Sequence, residues 1–298
     1  MALRPIDTVE IANSKGSSFD HGAFDRKSGR IFVAHTGRDS VEVIDHAARR
    51  HIATLPGFPE AAGVVADDGI VLVTNRGAAS LAWVDAHSLV TRATFKTGPK
   101  PNGVAIAAPL GLAIAASIGD ESRGPQLHVL ALDGHQQYLL DLPGAPRWCV
   151  TDAAFTRVFL AIREPSMVLV ARLPDLGEVV QWRLSQVGAH GLDIDHKRGR
   201  LYVACDDAVL AEVNSESGAT TNAWQLAGAP DVTFFNPTTG LVHVAIGRPG
   251  VVQSIDPRTG ASTQIATGPG AHTTALLMPD RLYVFSPSHG VALVMADA

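Results

Sequence analysis

Three features of this sequence predict an all-β, seven-bladed β-propeller: a repeat recurring about every forty residues, β-rich character in every copy, and an opening segment that supplies the strand the last copy lacks. The repeat is most legible as a short apolar run after a Gly- or Arg-containing turn, at 30–34, 70–74, 112–116, 157–161, 200–204, 241–245 and 281–285. Successive runs start 40, 42, 45, 43, 41 and 40 residues apart, the length of a four-stranded propeller blade. Helical solenoids have similar periods, but these units consist of alternating or β-branched runs cut by Gly, Pro, Asp and Asn, with no stretch of helical period.

Each unit divides into four antiparallel strands. A small-residue apolar segment such as 103–106 or 191–194 suits the crowded innermost position, and the anchor run follows as the second strand. A third lies at 40–44, 81–84, 127–130, 167–170, 209–213, 251–255 and 291–294, before turns rich in Asp or Asn, residues suited to tight reversal. The outer strand occurs in six copies only, at 51–54, 92–95, 138–140, 179–182, 222–225 and 262–265. Residues 7–12 read as the missing seventh, an N-terminal strand that closes the last blade and removes an exposed edge. The expectation is therefore one propeller domain over 1–298, with blades starting near 20, 60, 102, 147, 190, 231 and 272.

Bulk properties narrow the partners. With 46% hydrophobic and 18% charged residues, and Gly and Pro spread along the whole chain, no disordered tail is expected. A net charge of −5 without a basic cluster argues against nucleic acid or an anionic membrane surface as partner. The first residues lack the apolar core of a signal peptide and no apolar run is long enough to span a bilayer, so the cytoplasm is the expected compartment. Cys149 and Cys205 lie in apolar strand patterns without CxxC spacing, as buried free thiols would.

Counting ten residues back from each anchor run reaches the point where the chain enters the innermost strand, and hence the channel mouth. That offset gives Asp20, Glu60, Asn102, Arg147, His190 and Asp231, and in the last blade Ala271, or His272 if that blade is one residue shorter. In blade four either Arg147 or its neighbour Trp148 could face the channel. Carboxylates and imidazoles around one opening suit a divalent metal ion, for which His190, His272, Asp231, Glu60 and Asp20 are the candidate ligands. His190 and Asp231 are the candidate proton-transfer residues, and Arg147 a clamp for a substrate carboxylate. Asn102, His21, Trp148 and Arg76 are candidate substrate contacts. A wet channel lined by merely hydrated side chains is the competing reading. The loop at 118–124, with Gly119 and Gly124, is the candidate lid.

Units such as Gly199-Arg200-Leu201-Tyr202-Val203-Ala204, and third strands ending in Ile44-Asp45 or Ile255-Asp256, resemble the YVTN-type repeat of YncE-like seven-bladed propellers. Phe19-Asp20-His21, Pro101-Asn102-Gly103 and Ala229-Pro230-Asp231 are similar to that family's blade starts. The resemblance covers essentially the whole chain and implies the fold; the family shares no single reaction. At fold level the ring's composition is also similar to that of gluconolactonase-type propellers and streptogramin-opening lyases, whose specific motifs are not matched. No GxSxG, Walker A or HExxH motif is present. Two functions follow as expectations: a metal-assisted hydrolase or lyase acting on a small molecule at the mouth, or a non-catalytic module that binds a protein partner or senses a metal or small molecule.

Overall fold

The computed structural model describes residues 3–134 and 136–297, with the side chains of 136 and 137 left aside. These form seven four-stranded antiparallel sheets. The only helical elements among them are three single 3-10 turns, at Thr36–Arg38, Arg76–Ala78 and Ala108–Leu110. No helix among the described residues is long and apolar enough to cross a membrane.

Every anchor run is the second strand of its sheet, and in six sheets the strands follow chain order from the axis outward. The seventh has the order Leu3–Glu10, Val291–Asp297, Arg281–Ser286, Thr273–Leu277, so the N-terminal strand closes the last blade. This strand occupies Leu3–Glu10 where 7–12 was expected. An outermost strand tolerates a residue without an N–H, which is how Pro5 fits opposite Met295. Ile11 has left the ladder but stays buried, and its N–H still reaches the Gly290 carbonyl.

The core lies between sheets. Ile114 and Leu127 of blade 3 pack against Leu160 and Leu169 of blade 4, and Ile31 and Ile44 of blade 1 meet Tyr283 and Phe285 of blade 7. Each fully buried aliphatic side chain of this kind contributes about 1.5–3 kcal/mol. Inner strands touch their neighbours all the way round, including Gly22–Asp25 against Thr273–Leu277. That crowding explains the glycines: a Cβ at Gly103 or Gly191 would collide with the carbonyl oxygen of Arg147 or Asp231 on the next blade.

Candidate active site at the channel mouth

The ring is built by β-bulges. The inner-strand register slips between Pro101 and Gly103, between Pro146 and Cys149, and between Ala189 and Gly191, leaving Asn102, Arg147 with Trp148, and His190 as the extra residues. In blade 1 the N–H of Asp20 and the carbonyl of His21 both bond Ala34, and in blade 6 Asp231 and Val232 share Ala245 in the same way. An extra residue on one strand bends the chain and re-aims its side chain, here toward the opening.

Register also shows where the fixed offset fails. In blade 2 Ala61 pairs with Asn75 across a hairpin two residues shorter than the one joining Pro101 to Ser117, so the ring position falls on Ala62. Glu60 lies outside the ring: its side chain is exposed, and it contributes its carbonyl oxygen to the Arg76 N–H at 3.2 Å. In blade 7 Thr273 pairs with Phe285, a hairpin one residue shorter than Gly191 to Ala204, which makes His272 the ring residue and leaves Ala271 buried. Blade 4 uses both of its alternatives. Arg147 joins the charged ring, while Trp148 lies face to face with His21, ring centroids 3.8 Å apart and planes 3° from parallel. These two come from blades nearly opposite each other, so their stack spans the channel.

The other predicted residues form a belt of hydrogen-bonded groups around the mouth. His272 Nδ1 bonds Asp231 Oδ2 at 2.5 Å, and His190 Nε2 stands 3.6 Å from Asp231 Oδ1. His190 Nδ1 is held by Asp206 Oδ1 at 2.9 Å, and Arg163 Nε donates to the other Asp206 oxygen at 2.6 Å. Across the mouth, His21 Nδ1 bonds Asp20 Oδ1 at 2.5 Å, and Arg76 Nη2 donates to Asp20 Oδ2 at 2.8 Å and to Asn102 Oδ1. Asn102 Nδ2 in turn donates to the Arg147 carbonyl at 3.2 Å. A cavity of about 620 Å³ opens beside Asp231 and His272, with Arg248 on its rim.

Charge is shared unevenly in the belt. Burial opposes ionisation of Asp231, as does the charge of Asp20, but the His272 hydrogen bond and the neighbouring His272 and His190 imidazoles prevail and lower its pKa. Burial likewise opposes a charged His272, yet the bond to Asp231 and the carboxylates of Asp231 and Asp20 raise its pKa. Each partner thus favours the charged form of the other. Asp206 is held below its ordinary value despite burial, by His190 and Arg163. The half-buried Arg147 has no side-chain partner among the described residues, and its Nε is buried without an acceptor. Burial and the charges of Arg163 and Arg76 lower its pKa, against Asp206 and Asp231.

Asp206 and Arg163 were not among the predicted site residues. A signal for them exists: six residues past the start of their anchor runs stand Arg76, Arg163 and Asp206, a second equivalent position, in the loop that closes over the mouth. The candidate lid is braced from within, as Asp120 Oδ1 accepts from the Ser122 N–H at 2.8 Å and the Arg123 N–H at 3.2 Å.

The carboxylates that a metal ion would need are engaged by imidazoles and guanidinium groups. Among the described residues no three or more His, Cys, Asp or Glu side chains form a group that could hold an ion. Cys149 and Cys205 are buried free thiols, each pushed up to about 12 by burial, and far from nucleophilic.

No protein-family model and no curated protein matches the chain. Among solved structures it is similar to the Kuenenia stuttgartiensis hydrazine synthase, with a TM-score of 0.83 and 11% identity over 95% of this chain and 96% of that one. It is also similar to a streptogramin B lyase, with a TM-score of 0.81 and 10% identity over 99% of this chain and 96% of the lyase. At such identities the likeness is one of fold: this chain is a seven-bladed propeller.

Proposed function

We propose that the channel mouth is a general acid–base site, of the lyase or hydrolase kind, for a small anionic molecule. The observation that carries this reading is the convergence of two imidazoles on Asp231, beside an arginine whose side chain has no ion-pair partner among the described residues. Arg147 would take the substrate's carboxylate, because an unpaired half-buried guanidinium is best neutralised by a planar anion. At 3.6 Å from Asp231, His190 Nε2 is beyond hydrogen-bond distance and free to accept a proton, with Nδ1 oriented by Asp206. His272, protonated and oriented by Asp231, is the acid. In an elimination, His190 removes a C–H proton, the released electron pair forms the C=C bond, and His272 protonates the departing group. In the hydrolytic form His190 deprotonates water instead. A lyase among the solved propellers of this fold agrees with the reading without establishing it. On the strength of its YVTN-type units we group the chain with the YncE-like propellers.

The test is turnover of carboxylate-bearing lactones, esters and β-substituted acids by the wild type and by His190→Ala, His272→Ala and Arg147→Met. Loss of kcat by roughly 10²–10⁴-fold in the histidine variants is expected, with a raised KM in Arg147→Met. Absence of turnover in the wild type, or equal turnover in the histidine variants, overturns the catalytic reading and leaves a binding module. Elemental analysis of the purified wild type is expected to find no stoichiometric divalent metal.

A further inference from the structure

Beside Trp148 the channel holds a cavity of about 400 Å³ whose walls are the inner strands. Around it stand Phe24, Ala66, Ile106, Val150, Phe234 and Leu276, one from each of six blades. Blade 5 contributes an acid, Asp193, with its side chain partly open to the cavity, together with Ile194 and His196. Its Oδ2 accepts from the Phe235 N–H at 2.7 Å and its Oδ1 from the Ile194 N–H at 2.8 Å. A carboxylate has room for about four such bonds. No cationic side chain among the described residues pairs with it.

The two backbone bonds take one acceptor site on each oxygen and leave the remaining acceptor sites of the carboxylate without a partner among the described residues, beside an open cavity. Burial pushes the Asp193 carboxyl up to about 7 against both backbone bonds, and a cation in the cavity would favour its charged form. Phe24 and Phe234 line the same cavity, and aromatic faces attract an ammonium further. We propose that this compartment is a second binding site, separate from the charged mouth, which takes a compact hydrophobic amine with its ammonium on Asp193.

The experiment is calorimetric titration at pH 8 with benzylammonium chloride, and with benzyl alcohol as the neutral probe of similar shape. The proteins are the wild type, Asp193→Asn and Ala66→Leu, the last narrowing the compartment without touching the acid. Saturable one-to-one binding of benzylammonium by the wild type is expected, at least tenfold weaker in each variant, with benzyl alcohol unable to distinguish wild type from Asp193→Asn. Failure of the wild type to bind benzylammonium overturns the proposal. Binding by Asp193→Asn within twofold of wild type also overturns it and leaves Asp193 a backbone cap. Equal binding by Ala66→Leu places the amine outside the compartment, with the same consequence. Should Asp193→Asn fail to fold, Ala66→Leu and the alcohol decide.

Discussion

Asp231 is the residue on which the mouth turns, because it orients His272 and faces His190 at once. The signs of its shifts fix how the pair behaves with pH. His272 has a pKa raised above its ordinary 6.5, so the stability it contributes is whole below pH 6.5 and fades as pH rises through the raised value. Asp231 lies below its ordinary 3.8, so its contribution is whole above pH 3.8 and fades as pH falls. Replacing His272 with Gln is therefore expected to lower the melting temperature by about 2–4 °C between pH 4.5 and 6.5. The difference should shrink steadily toward pH 9, as thermal scans at a series of pH values will show. A constant difference across that range would mean that the imidazole acts by packing alone. At this scale the sequence was informative in part. His190 and Asp231 were readable from position alone and His272 as one of two alternatives, whereas the stacking of His21 on Trp148 was not, because a bulge decides which of two consecutive residues turns inward.

Strands and hairpins set where these residues stand. The offset from anchor to ring is constant only while inner hairpins keep one length, and blades 2 and 7 shorten theirs. Glu60 was misplaced for that reason, and Asp206 was not singled out from its loop because polar loop residues are unremarkable until their register is compared. Close approach of the inner strands makes Gly191 a sensitive point. Substitution by Ala is expected to cost about 1–3 kcal/mol through overpacking and to displace Asp231. Urea unfolding measures the first effect and the histidine NMR shifts the second. A buried acid holds blade 1 in register: Glu42 bonds His35 and His51 at 2.7 Å each and Thr54 at 2.5 Å. Burial opposes its ionisation, but those three bonds bring its pKa down to about 2. Glu42→Gln should cost about 3 kcal/mol at pH 7, as expected when one partner of a buried pair is removed. Because the wild-type group is lowered from an ordinary 4.5, the cost should diminish as pH falls from 4.5 toward 2.

For the whole molecule, seven sheets were countable from spacing because every blade must repeat the same traverse from axis to rim. Closure by the N-terminal strand followed from finding six outer strands where seven were needed, although its limits shifted by a few residues. Deleting residues 1–10 should uncover the whole edge of Val291–Asp297 and the buried faces beneath Leu3 and Val9. Such a protein is expected to lose cooperative melting or to self-associate with rising concentration, as light scattering behind a sizing column would detect. A truncated chain that stays monomeric and melts at the wild-type temperature would show closure to be dispensable.

Leu3 lies opposite Asp297 on that outer ladder. The strand Thr273–Leu277 leaves the mouth next to His272, the next strand returns toward it, and Val291–Asp297 leaves again, so both residues sit at the far side of the disc. A purification tag or a tether to a sensor chip, attached at either extremity, would therefore hold the molecule with its charged opening turned outward to the solution.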